Sequence, residues 1–90
     1  MQRRVRLEIR GRVQGVAFRW HAREVAEQLG LAGYVRNLPD GNVVMEAEGA
    51  PELVEDMIRW ARHGPPAARV LDLGVVELAP NGEEGFSIRH

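Results

Sequence analysis

The amino acids best suited to holding a charged ligand lie between Gly11 and Arg19, in the order Gly-Arg-Val-Gln-Gly-Val-Ala-Phe-Arg. An alternating strand pattern stops before this segment and a helical pattern follows it, so the segment contains a loop that enters a helix. Backbone N–H groups at such a place lack intrachain partners and lie at the positive end of the helix dipole. They can bind an anion, and the guanidinium of Arg19 adds donors that match phosphate. The candidate phosphate-binding residues are Gln14, Gly15, Val16, Ala17, Phe18 and Arg19.

The order Gly-x-Val-Gln-Gly-Val-x-Phe-Arg at residues 11–19 resembles the signature of the acylphosphatase family. The family's second block is similar to residues 33–41, Gly-Tyr-Val-Arg-Asn-Leu-Pro-Asp-Gly, and the resemblance extends to the ending Phe-Ser-Ile-Arg-His at residues 86–90. It implies a hydrolase that cleaves the carboxyl–phosphate bond of acyl phosphates without a cofactor. It also implies that the loop backbone and Arg19 bind the phosphate, and that Asn37 orients the attacking water.

Neither implied catalytic side chain can remove a proton from water near neutral pH. The guanidinium of Arg19 stays protonated, and the carboxamide of Asn37 does not titrate. We therefore hypothesise direct attack by water without a phosphoenzyme, in which the phosphate oxygens of the substrate accept the proton. This mechanism needs a good leaving group, which a mixed carboxylic–phosphoric anhydride has and an ordinary phosphate monoester lacks.

Other interpretations of these residues stay open at this stage. Gly11 and Gly15 could be simple turn residues, and Asn37 could hydrogen-bond to the nearby turn. A noncatalytic anion-binding module of ferredoxin-like fold is the main alternative, since one fold hosts many functions. An RNA-binding sheet would need aromatic residues on an exposed strand face, where the first strand instead has charged residues.

Residues near the segment are predicted to have structural roles. His21 could titrate near neutral pH, but it falls on the polar side of the helix, so we expect it on the surface. Trp20 and Trp60 are expected in the core or at its edge. In the family that the chain resembles, the terminal carboxylate lies near the arginine, which makes the carboxylate of His90 a candidate partner of Arg19.

Length and composition predict one small domain over residues 1–90. The chain is 44% hydrophobic and 28% charged, with no apolar run that could span a bilayer and no secretory signal, so we expect a soluble cytoplasmic monomer. The net charge of −1 argues against nucleic acid as a partner. Cysteine is absent, and the histidines show no metal-ligand spacing, so no metal site is predicted.

The elements that must hold these residues follow from hydrophobic periodicity. Helices are predicted after the loop, ending at Gly30, and from Pro51 to just before Gly64. The predicted strands cover residues 4–10, 33–38 and 42–48, then Leu71 to Leu78 with a bend near Gly74, and lastly residues 86–89. This order predicts a ferredoxin-like split βαβ fold of the α+β class, with a mainly antiparallel sheet, both helices on one face and a short extra C-terminal strand.

Overall fold

The computed structural model describes residues 1–90, which form one five-stranded sheet covered on one face by two helices. The strands lie in the order β4-β1-β3-β2-β5, and all neighbours are antiparallel except β2 and β5, which are parallel. The predicted ferredoxin-like α+β fold with an added C-terminal strand is confirmed. The elements are β1 (Arg3–Arg12), α1 (Phe18–Gln28), β2 (Ala32–Asn37), β3 (Val43–Gly49), α2 (Pro51–Ala61), β4 (Arg69–Leu78) and β5 (Phe86–Arg89).

The core lies between the sheet and the helices, as the alternating patterns predict. Val5, Leu7 and Ile9 of β1 are fully buried, and their partners across the strand pair on β3 are buried with them. The apolar stripe of α2 covers these strands. Each fully buried Val, Leu or Ile side chain contributes about 1.5–3 kcal/mol, so this layer holds α2 against the central strands of the sheet. The buried residues of α2 are Val54, Met57, Ile58 and Ala61.

The bend predicted in β4 near Gly74 is wrong. Gly74 pairs in regular register with Glu8, and the register instead shifts where Gly11 pairs with Val70. Leu71 therefore has no partner on β1 and is 71% exposed, although its phase in the sequence predicts an inward position. A bulge that inserts one residue turns the side chains beyond it to the other face.

The alternating pattern of β1 predicts Arg4 on the solvent-exposed face of the sheet, but Arg4 and its partner Glu48 on β3 are both buried, at 2% and 4% exposure. Hydrogen bonds explain how the charges are tolerated. The Arg4 guanidinium donates to the carboxylates of Glu46, Glu48 and Glu83 at 2.9, 3.0 and 2.8 Å, and to Asn81 Oδ1 at 3.2 Å. The loop that contains Asn81 and Glu83 folds over this end of the sheet and covers the Arg4 and Glu48 side chains. Alternation of apolar and polar residues therefore predicts the face on which Arg4 lies, but not that this face is covered.

Strand direction determines which parts of the chain meet. Because β1 and β2 are both antiparallel to β3, they point the same way, and β5 is parallel to β2. The C-terminal ends of these three strands therefore lie at one edge of the sheet, where α1 begins. The loop after Arg12, Asn37 at the end of β2, and His90 after β5 all emerge there.

Candidate active site

The loop of residues 13–17 joins β1 to α1 and leaves its backbone donors free. None of the N–H groups of residues 14–17 donates a hydrogen bond within the chain, and the first N–H groups of a helix have no intrahelical acceptor. Gly15 and Ala17 have φ angles of 74° and 59°, and Ala17 is the only non-glycine residue with positive φ. This left-handed conformation costs Ala17 about 1–2 kcal/mol. Alternating backbone conformations of this kind form anion-binding concavities.

Gly11, the first residue of the signature segment, is explained by strand packing. A Cβ at this position would lie 2.1 Å from the carbonyl oxygen of Arg69 on β4, and φ is +132°. Any other residue would push β1 and β4 apart just before the loop. Gly11 therefore has a structural role just before the loop. It does not line the cleft that the loop borders.

A cleft of about 840 Å³ lies at this edge of the sheet and brings most of the predicted site residues together. The predicted residues that line it are Gly15, Ala17, Phe18, Arg19 and Asn37. Gln14 and Val16 belong to the loop but do not line the cleft. Residues that the sequence did not single out also line it, among them Arg23 of α1 and Ile88 of β5.

Arg19 has no carboxylate within salt-bridge distance. Its Nη1 lies 3.2 Å from Nδ1 of the His90 ring, so the expected partner, the carboxylate of His90, is replaced by the imidazole of the same residue. A guanidinium can only donate, so Nδ1 of His90 accepts this hydrogen bond. Arg19 is thus held in place by the side chain of His90 and not by a carboxylate.

Asn37 points into the cleft with an unused acceptor. It is in phase with the fully buried Val35, so it faces the helices, whereas Arg36 is exposed on the opposite face, as predicted. Its Oδ1 is the single buried side-chain N or O atom without a hydrogen-bond partner. Such an atom costs about 1–3 kcal/mol, and native proteins keep few of them.

The hydrogen bond to the turn that could have explained Asn37 is made by Asn42 instead. The N–H of Asn42 donates to Asp40 Oδ1 at 2.9 Å, and its Nδ2 donates to Glu8 Oε2 at 2.8 Å. The turn is therefore closed without help from Asn37, whose amide has no structural task within the hairpin.

Trp60 lies where the sequence predicts it, whereas Trp20 does not. Trp60 lies at the core edge, as predicted, with its ring centroid 5.2 Å from that of the buried Phe18. Trp20 is 50% exposed and lines the cleft, so its predicted burial is wrong, because Phe18 and Ala22 take the buried positions of this turn. His21 lies outside the cleft, its side chain forms no hydrogen bond, and its ring contacts that of Trp20.

The side chain of Gln14 makes contacts that sequence reasoning missed. Its Nε2 donates to the carbonyl oxygens of Leu38 and Asn42, at 2.7 and 2.9 Å. The residues are far apart in sequence, so periodicity could not pair them. The presence of a glutamine between the apolar and glycine residues at positions 13 and 15–18 is the one available signal.

No group of three or more His, Cys, Asp or Glu side chains is arranged to hold a metal ion. Neither helix has the length and hydropathy of a membrane span.

The fold and the cleft together define an α+β protein in which a loop with unpaired backbone donors leads into the N-terminus of a helix. A family model described as acylphosphatase matches residues 5–88. The chain is 53% identical over 85 residues to an acylphosphatase of Thermococcus kodakarensis, covering 94% of this chain and 93% of that relative. It is 51% identical over 86 residues to one of Trichormus variabilis, covering 96% and 85%. The crystal structure of acylphosphatase from Bacillus subtilis is similar with a TM-score of 0.95 at 35% identity, covering 100% of both chains.

This protein belongs to the acylphosphatase family. The motifs predict this family and an enzyme that is an acylphosphatase. These matches confirm both predictions. The matched range includes the loop, Arg19 and Asn37, and every residue that lines the cleft except His90.

Proposed function

We propose that this protein hydrolyses acyl phosphates by one direct attack of water on phosphorus, giving a carboxylate and inorganic phosphate. The N–H groups of residues 14–19 and the guanidinium of Arg19 bind the phosphoryl oxygens, and Asn37 holds the attacking water. The supporting observation is that one cleft contains free backbone donors, an arginine without a carboxylate partner and a buried amide oxygen without a donor.

The loop and Arg19 contribute electrostatic stabilisation. Phosphoryl transfer passes through a loose transition state with negative charge on three equatorial oxygens. Donors already fixed by the fold need no reorganisation as this charge develops, and each is typically worth about 10²–10³ in rate. The positive φ angles of Gly15 and Ala17 belong to the loop conformation in which these donors are unpaired within the chain.

Asn37 contributes orientation. Its Oδ1 accepts a hydrogen bond from water, which leaves an oxygen lone pair of the water free to attack phosphorus in line. The new O–P bond forms as the bond to the acyl oxygen breaks, and the carboxylate leaves with the electron pair. A phosphate oxygen takes the proton, so no protein base is required.

The substrate class follows from the leaving group. A carboxylic acid has a pKa of about 4, so the carboxylate leaves without protonation, whereas an alkoxide leaving group needs an acid. The proposed substrates are therefore small mixed carboxylic–phosphoric anhydrides. A monomeric state, a cytoplasmic location and the absence of a nucleic-acid partner stay predictions from the sequence.

The decisive experiment compares benzoyl phosphate with phenyl phosphate in the presence of a metal chelator. We expect turnover of the anhydride alone, and single turnover in ¹⁸O-water should place the label in inorganic phosphate and not in benzoate. Label in benzoate would contradict attack on phosphorus. A thermal shift on adding phosphate without any hydrolysis would favour the noncatalytic anion-binding alternative.

A further inference from the structure

We infer that the side chain of Gln14 is a positioning residue, which holds the phosphate loop at a fixed distance from Asn37. This inference rests on the proposed function, because it assigns the geometry of that same site. The carboxamide nitrogen of Gln14 donates to two carbonyl oxygens of the hairpin, so the side chain, unlike the backbone N–H, is not directed at the substrate. Its two hydrogen bonds run instead to the hairpin of β2 and β3, on which Asn37 lies.

The two acceptors lie on either side of the turn that joins β2 to β3. Leu38 directly follows Asn37, and its carbonyl oxygen accepts from Gln14 Nε2 at 2.7 Å. The carbonyl oxygen of Asn42 accepts from the same nitrogen at 2.9 Å and also accepts from the Leu38 N–H at 2.8 Å. One nitrogen thus fastens the loop to both arms of the hairpin, one residue away from the proposed water-holding amide.

The chemistry of this contact requires a glutamine. Both partners are carbonyl oxygens, so the amide must present its nitrogen, and both of its hydrogens are used. Glutamate would place oxygens against those carbonyls, and methionine would fill the space without donating. The contact is partly buried, so water compensates incompletely for its loss.

The chain has no second connection of this kind between the loop and the hairpin. Arg19 is held by His90 on the β5 side, and no other side chain of residues 13–17 forms a hydrogen bond. The separation between the phosphate donors and Asn37 therefore depends on Gln14. A misplacement of about 1 Å can cost about 10²-fold in rate.

The test measures kcat and KM for benzoyl phosphate, and inhibition by inorganic phosphate, for Gln14→Met and Gln14→Glu. We expect kcat to fall by about 10–100-fold in Gln14→Met and further in Gln14→Glu, with phosphate inhibition changed much less. Gln28→Met is the matched control, since Gln28 is exposed at the end of α1 and forms no side-chain hydrogen bond. If Gln14→Met does not fold, Gln14→Asn keeps the amide but shortens its reach, and the same expectation applies.

A double variant separates positioning from general stabilisation. If Gln14 acts through Asn37, Gln14→Met should cost little further rate in an Asn37→Ala background. Full additivity, or an unchanged kcat in Gln14→Met, would overturn the inference while leaving the proposed function intact. The proposed function fails separately, if Arg19→Ala and Asn37→Ala each keep the wild-type rate.

Discussion

Arg4 and Arg19 lie at different ends of the sheet and have opposite surroundings. Arg4 is 2% exposed and is bound by the carboxylates of Glu46, Glu48 and Glu83. Arg19 has no carboxylate within salt-bridge distance, and its side chain hydrogen-bonds only to the imidazole of His90. The comparison teaches that the same residue type serves structure where its charge is neutralised within the chain, and can serve a ligand where it is not.

The loops beside the two arginines differ in the same way. The N–H groups of Asn81 and Gly82 donate to Glu48 at 2.9 and 3.0 Å, so this loop is held by an internal anion. The N–H groups of residues 14–17 have no acceptor in the chain. One loop thus carries its anion as a side chain, and in the proposed function the other receives it from the substrate.

Arg19→Ala should have the largest effect. Because it removes the proposed charge on the transition-state oxygens, kcat/KM for benzoyl phosphate should fall by about 10³ or more. The midpoint of thermal unfolding should change little, since Arg19 has no ion pair to lose. Arg36→Ala is the matched control, because Arg36 is exposed on the opposite face of the sheet. A loss below tenfold in Arg19→Ala would contradict the proposal that the charge of Arg19 serves the substrate.

Arg4→Met should show the reverse behaviour. It leaves the buried Glu48 without its cation, and breaking a buried pair costs about 3–5 kcal/mol in the free energy of unfolding. Urea unfolding measures this loss, and turnover per folded molecule should stay at the wild-type level. Arg6→Met, at an exposed position on the same face, should change stability by about 0.5 kcal/mol or less. Equal losses in both variants would mean that burial of Arg4 contributes nothing.

Asn37→Ala should lower kcat by about 10² with a small change in KM, since it removes orientation and not binding. The unfolding free energy should stay the same or rise by about 1 kcal/mol, because an unpartnered buried oxygen is removed. Steady-state kinetics and urea unfolding on the same preparation test both halves. A stability loss with an unchanged kcat would show that the amide is structural.

The acid dependence of stability should reflect Glu48. Hydrogen bonds from the Asn81 N–H, the Arg4 guanidinium and the Gly82 N–H lower the pKa of Glu48 below its ordinary value of 4.5. A lowered folded-state pKa stabilises the fold above 4.5, and this contribution is lost as the pH falls through the folded-state value. Glu48→Gln should therefore lose less stability on acidification than the wild type. Glu52→Gln, at an exposed position of α2, should follow the wild-type curve.

The sequence predicted most elements because their apolar residues repeat with the period of a strand or a helix. The charge of Arg19 beside a loop was enough to predict it as a phosphate-binding residue. Asn37 could be singled out only through the resemblance to a family. The exposure of Leu71, the burial of Arg4 and the contact of Gln14 were not predictable. Each depends on strand register or on loops that fold back from distant parts of the chain, which local periodicity does not encode.

The shared edge formed by the C-terminal ends of β1, β2 and β5 has a consequence for folding. Residues contributed to the cleft come from both ends and the middle of the chain, so the pocket cannot assemble from any local fragment. Long-range strand pairing is the slow part of folding such a sheet. The recovery of turnover after dilution from denaturant should accordingly coincide with the last strand pairing. Enzyme activity would then report when the native topology is complete.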